Sequence, residues 1–137
     1  MLELDGINIW AVAVVWLIYM FVGAFWYSPM GFAKKWTKYT KIDILKIPTN
    51  EANKIIGFVA LSALVQASAL AIVLNSLGVD SLYEGIKAGL VLWLGFTAAT
   101  TVGVTLYSRR SWKFLWLNSS YFLVVMTIGS TILTAWK

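Results

Sequence analysis

Polar and apolar positions in this chain are separated into long blocks. Four stretches contain no Asp, Glu, Lys or Arg: residues 7–27, 55–77, 88–107 and 114–136. At about 1.5 Å of rise per helical residue, each is long enough to cross a hydrocarbon core of roughly 30 Å. The pattern predicts an all-α polytopic membrane protein, with four transmembrane helices in an antiparallel bundle forming a single domain over 1–137. Between the first two spans, Lys34, Lys38 and Lys41 fall on one helical stripe and Trp36, Tyr39 and Ile42 on another. This predicts a short interfacial helix in the first cytoplasmic loop, whose cations either bind anionic lipid or serve only to set topology.

Boundary residues support the spans. Ser28-Pro29 should end the first helix, because proline lacks a backbone donor and disfavours α geometry in the residue before it. Pro48-Thr49-Asn50 followed by Glu51 resembles a helix start, with Thr49 or Asn50 as cap and an acid in the first turn. Leu77-Gly78 reads as a glycine stop.

Composition narrows the function classes. Of 137 residues, 60% are hydrophobic and 12% charged, outside the range of an ordinary soluble domain. There is no Cys and no His, which removes thiol nucleophiles, disulfides, His-dependent triads, and zinc or haem ligation through sulfur or imidazole. No catalytic residue, metal or cofactor is expected. The net charge of +5 is explained by topology rather than by nucleic acid, which is not an expected partner. Nine of the eleven cations lie in two loops, 28–54 and 108–113. The positive-inside rule makes those loops cytoplasmic and puts both termini and the 78–87 turn on the outer side of the cell membrane. The acidic start, Glu3 and Asp5, does not resemble the basic n-region of a signal peptide.

Within the spans, small residues mark expected close approaches of helices: Ala63, Ala67 and Ala71 in the second, and Gly95, Ala99 and Gly103 in the third, with Gly85 and Gly89 just before. Association into a homo-oligomer through the third helix, or docking on another membrane protein, follows from these ridges. Trp and Tyr residues near the span ends form an expected aromatic belt, whereas Trp16, Tyr19, Trp93 and Tyr121 lie deeper and need partners for their polar groups. Trp16 and Trp93 either line a shared cavity or fill the core. Gln66, mid-span, should find a partner across the bundle. The hydroxyls of the third and fourth spans either bond their own helices or line a path. Val22-Gly23 and Tyr27-Ser28 match Val102-Gly103 and Tyr107-Ser108 at an offset of 80 residues, a pattern that either duplication or chance produces. No ionisable side chain lies within a span, which disfavours proton-coupled transport through a buried carboxylate.

The run Asn8-Ile-Trp10-Ala11-Val12, and then Gly23-Ala24-Phe25-Trp26-Tyr27-Ser28-Pro29-Met30-Gly31-Phe32-Ala33-Lys34-Lys35-Trp36, resembles the signature of domain-of-unknown-function family 1761, a group of small prokaryotic membrane proteins. Trp93-Leu94-Gly95-Phe96, and Asn118 with Tyr121, are similar to its later pattern; Ala33 stands where a glycine is expected. The resemblance implies four spans but carries no activity. Pro29 should free carbonyls near Phe25 and Trp26 beside the Tyr27 and Ser28 hydroxyls, so Trp26, Tyr27, Ser28, Pro29, Trp93, Asn118 and Tyr121 form a candidate solute or ligand site. The alternative is that Ser28-Pro29 only turns the chain. Two function classes follow: an oligomeric bundle that binds or passes a small solute or ion, and a structural or accessory subunit docking another membrane protein. In both, the lipid bilayer is a partner, with anionic lipids at the basic loops.

Overall fold

The computed structural model describes residues 1–137 and is helical throughout, without strands. Six α-helices follow in order: α1 (Ile9–Trp26), α2 (Ala33–Thr40), α3 (Thr49–Ser76), α4 (Leu82–Leu92), α5 (Ala99–Tyr107) and α6 (Trp112–Ala135). A π-helical turn, Trp93–Ala98, joins α4 to α5 into one span, Leu82–Tyr107. Four helices are therefore long and apolar enough to cross a membrane. Only 24 of 137 residues are buried, and Phe21, Phe58, Val65, Phe96 and Val104 are exposed. So much outward apolar surface suits lipid rather than water.

Local chemistry sets the helix ends. Asn8 caps α1 by accepting from the amides of Trp10 and Ala11. Ser81 caps α4 through the Glu84 amide, and Ser111 caps α6 through the Phe114 amide. The helices consequently begin ahead of the charge-free stretches at 55, 88 and 114, because a helix can carry Glu, Lys and Trp in a wet first turn. Neither Thr49 nor Asn50 caps α3; Pro48 holds that position, its carbonyl accepting from Ala52. The stop at Gly78 is a Schellman turn with φ of +64°, in which Val79 N–H bonds Leu74 O and Gly78 N–H bonds Asn75 O. Val79 and Leu74 both enter the core behind it.

The fourth span, α6, is the hub. It packs against α1, α3 and the α4–α5 span, whereas α4 and α5 pack chiefly on α6. Ala11, Val15, Ala67 and Val125 are fully buried where α1, α3 and α6 meet, and the small side chains of Ala63, Ala67 and Ala71 let α3 approach. On the other side, Gly85 lies against Thr134 and Gly89 against Ser130. The Ser130 and Thr134 hydroxyls have no conventional hydrogen-bond partner; glycine Cα–H groups face them, a weak C–H···O contact common at close helix crossings.

The π-turn has a geometric origin. Gly85, Gly89, Trp93 and Thr97 recur every four residues and all meet α6: Trp93 Nε1 donates to Ser119 O at 2.8 Å, and Thr97 Oγ1 donates to Met126 Sδ at 3.4 Å. Four residues overshoot an α-helical turn by roughly 40°, so such a stripe drifts off its neighbour within a few turns. A wider turn absorbs the surplus residue and returns Thr105, which is buried, to the packed side. Gly95, Ala99 and Gly103 consequently face away from the chain's other helices: a Cβ at Gly95 or Gly103 would meet nothing within 4 Å.

The ends of the bundle are tied differently. At the terminal end, Asn75 donates to the carbonyls of Glu3 and Asp5, Asn8 to that of Trp136, and Lys137 to Val79 O and Asp80. At the basic end, the Arg110 guanidinium donates to Thr40 O at 2.8 Å, pinning the last carbonyls of α2 beside the start of α6.

Candidate functional site

The chain leaves α1 through a turn whose backbone bonds are all internal. Phe25 O accepts from Ser28 N–H and, at 2.6 Å, from Ser28 Oγ; Trp26 O accepts from Phe32 N–H at 2.7 Å; Ser28 O accepts from Gly31 and Ala33. The carbonyls released by Pro29 are therefore occupied within the turn, and Ser28 and Pro29 shape the turn rather than line an open site. Gly31 is required by space: a Cβ there would fall inside contact distance of Phe25 O and lie 2.8 Å from Trp26 O.

This turn presents two aromatic rings to α6. Trp26 Nε1 donates to Leu117 O at 3.1 Å, and the Tyr27 hydroxyl donates to Asn118 Oδ1 at 2.8 Å. Tyr121 reaches back to α1, its hydroxyl donating to Tyr19 O at 2.7 Å in a buried bond. Gly23 makes room for it, since a Cβ at 23 would lie 3.2 Å from that hydroxyl. Trp26, Tyr27 and Phe122 rings surround Tyr121 with centroids 4.9–6.2 Å away. Of the candidate residues read from the sequence, Trp26, Tyr27, Asn118 and Tyr121 thus form one cluster. Trp93 is not part of it; its indole meets α6 from the α4–α5 side. Trp16 bonds Ala60 O, so the two deep indoles serve different helix pairs.

Beside the cluster, α1, α3 and α6 enclose a cavity of about 450 Å³. Tyr19, Gly23, Ala24 and Tyr27 line it from α1, Val59 from α3, and Tyr121 from α6. An adjoining space of about 380 Å³ shares Tyr19, Val59 and Tyr121 and adds Ser62 and Gln66. Gln66 bonds Ser62 on its own helix at 3.1 Å, not a partner across the bundle. Neither space has a charged lining residue. Tyr19 is 2% exposed and borders both. Its ring is held by the core, yet its hydroxyl, unlike those of Tyr27 and Tyr121, makes no hydrogen bond within the chain. Ile56 and Val59, which line the cavity from α3, are both exposed.

Sequence reading placed Tyr19 among the deep aromatics but not at a site, and it missed Gly23 and Gly31. Both glycines lie within the run that carries the family resemblance, with Phe21 and Phe25 two positions either side of Gly23 and Met30 and Phe32 beside Gly31, and that contrast in size was the available signal. No three Asp or Glu residues come together in a metal-holding group.

The chain is thus all-helical, with four helices long and apolar enough to cross a membrane and a cavity lined without charge. The family described as "Protein of unknown function (DUF1761)" matches residues 10–134, and the chain belongs to it. No curated protein and no solved structure matches the chain.

Proposed function

We propose that this is a multi-pass protein of the cell membrane that binds a small, predominantly apolar solute bearing one hydrogen-bond acceptor, taken up from the lipid side into the cavity between α1, α3 and α6. The observation that carries the reading is the Tyr19 hydroxyl, an unused donor on a buried residue at the wall of a 450 Å³ apolar cavity. An acceptor on a ligand would give this donor the hydrogen bond that the chain does not, worth about 0.5–1.5 kcal/mol. The volume falls in the range of small-molecule sites. The uncharged lining favours a neutral molecule over an ion.

The basic end is cytoplasmic in this reading, by the loop charges. Exposed Tyr107, Trp112 and Trp116 at that end, and Trp10, Tyr83 and Trp136 at the other, support aromatic belts at two interfaces.

Binding is tested with protein in lipid nanodiscs, comparing an aryl ketone with the alkylbenzene of the same size by thermal unfolding. The ketone is expected to raise Tm more than the hydrocarbon. Tyr19→Phe should remove that difference, and Val59→Trp, which fills the cavity, should abolish both shifts. Equal shifts in the wild type and in Val59→Trp would place the ligands in bulk lipid and defeat the proposal.

A second reading, assembly into a homo-oligomer or onto another membrane protein, is favoured by the outward ridge of Gly95, Ala99 and Gly103 on a span that packs chiefly on α6. Gly95→Leu with Gly103→Leu is expected to reduce the particle to a monomer in detergent. A particle of unchanged mass would dismiss that interface.

A further inference from the structure

At the basic end, α1, α2 and α6 form a second groove, of about 440 Å³, which shares no lining residue with the solute cavity. Two lysines, Lys35 and Lys113, line it together with Trp26, Tyr39, Trp116 and Ser120. We propose that this groove is a specific site for one anionic phospholipid, with the lipid phosphate between Lys35 and Lys113 and the glycerol region against Trp116.

Three observations support this. First, neither lysine has a carboxylate partner, since the chain's two ion pairs are Lys46–Asp43 and Lys137–Asp80. Second, the charge arrangement at the start of α6 is unfavourable without an anion. The first turn of that helix contains no acid and carries Lys113, with Arg109 and Arg110 just before it. A helix N-terminus is itself partly positive, so cations gathered there repel it, and an anion in the groove compensates both at once. Third, the walls are held in place before any ligand arrives. Arg110 clamps Thr40 O, Phe32 N–H bonds Trp26 O, and the Phe32 ring lies 4.7 Å from Trp26 and 5.6 Å below Lys35 Nζ.

The rest of the lining indicates a lipid rather than a free phosphate. From Lys113 to Ser120 the groove follows α6 for about 10 Å, passing from cation to ring to hydroxyl. Trp116 is 59% exposed there. Inorganic phosphate would leave that ring uncovered, whereas a headgroup with its glycerol esters spans both the charged and the aromatic parts. Indole and phenol side chains take this position where headgroups meet acyl chains.

The test is lipid titration of the detergent-solubilised full chain by native mass spectrometry, comparing phosphatidylglycerol with phosphatidylcholine of the same acyl chains. One phosphatidylglycerol is expected to bind about thirtyfold more tightly than phosphatidylcholine, and K35Q/K113Q should remove that preference. The control K38Q/K54Q changes charge equally outside the groove and should keep the preference. Equal loss in both double variants would show diffuse attraction and overturn the site. Competition by millimolar inorganic phosphate would overturn it in favour of a soluble anion. Unfolding midpoints of the variants, measured in parallel, separate loss of binding from loss of fold.

Discussion

Replacing Gly89 with leucine is expected to release the α4–α5 span from α6. A Cβ at 89 would lie 2.5 Å from Ser130 Oγ, 2.9 Å from Ser130 Cβ and 3.2 Å from Met126 O, so the obstruction includes helix backbone and not only a movable side-chain tip. Because this span packs chiefly on α6, little else holds it when the crossing opens. Forcing side-chain volume into a packed interface costs about 1–3 kcal/mol, and leucine at the tightest point belongs at or beyond the upper end. The measurement is the midpoint of SDS-induced unfolding followed by circular dichroism, with protease sensitivity of the 108–111 connection as a local readout. Two comparisons isolate the cause. Gly95→Leu adds the same side chain to the same span on its open face and should leave the midpoint of the single chain unchanged. Ser130→Ala removes a hydroxyl that is buried without a partner, and the change should stay within about 0.5 kcal/mol. An unaltered midpoint for Gly89→Leu would mean that the glycine crossing does not hold the span.

That pair of glycine stripes shows how far the sequence could be read. Gly85/Gly89 and Gly95/Ala99/Gly103 look alike as small residues at four-residue spacing, and composition cannot say that one is buried and the other bare. The difference arises from the π-turn between them, which follows from α6 demanding a common face for Gly85, Gly89, Trp93 and Thr97. Periodicity within one helix does not reveal what the next helix requires. The four spans, by contrast, were legible because hydropathy alone decides them, and α2 was legible in its two stripes. The start of α3 was legible in Pro48-Thr49-Asn50-Glu51, whereas α4 and α6 begin ahead of the charge-free stretches at 88 and 114. Ser81 and Glu84 have the spacing of a capping box and would have moved the start of α4 to its observed position. The aromatic cluster was half legible. Trp26, Tyr27, Asn118 and Tyr121 were drawn together by the family resemblance, and they do meet. Tyr19 was noticed only as a deep ring, because its unused hydroxyl is visible only when every other polar group nearby has been given its partner. The cavity depends on α3 standing away from α1 and α6 over its first half, which no local pattern encodes.

The turn after α1 supports a prediction of comparable size. Gly31→Ala adds one methyl group, yet the atoms it meets are the carbonyl oxygens of Phe25 and Trp26, fixed by bonds from Ser28 and Phe32. Gly31 does not have a positive φ, so the cost is one of space and not of backbone conformation, and it cannot be relieved by changing rotamer. Either the turn opens, losing the Phe32-to-Trp26 bond, or the end of α1 unwinds. Both routes strain or break the turn's backbone hydrogen bonds, at a cost of about 2–3 kcal/mol. The comparison is Gly57→Ala within α3, where an added Cβ meets nothing within 4 Å. There the same methyl should stabilise the chain by about 0.5–1 kcal/mol, through helix propensity. Opposite signs for one chemical change, read in the same SDS unfolding assay, would tie the effect to the turn. If the turn opens with α1 intact, the Gly31→Ala protein should also lose its preference for phosphatidylglycerol while keeping its ketone response; unwinding of the end of α1 would carry Ala24 and Tyr27 out of the cavity wall and lower both. Phe32 and Lys35 move with α2, whereas Tyr19, Val59 and Tyr121 are carried by the long helices that remain packed.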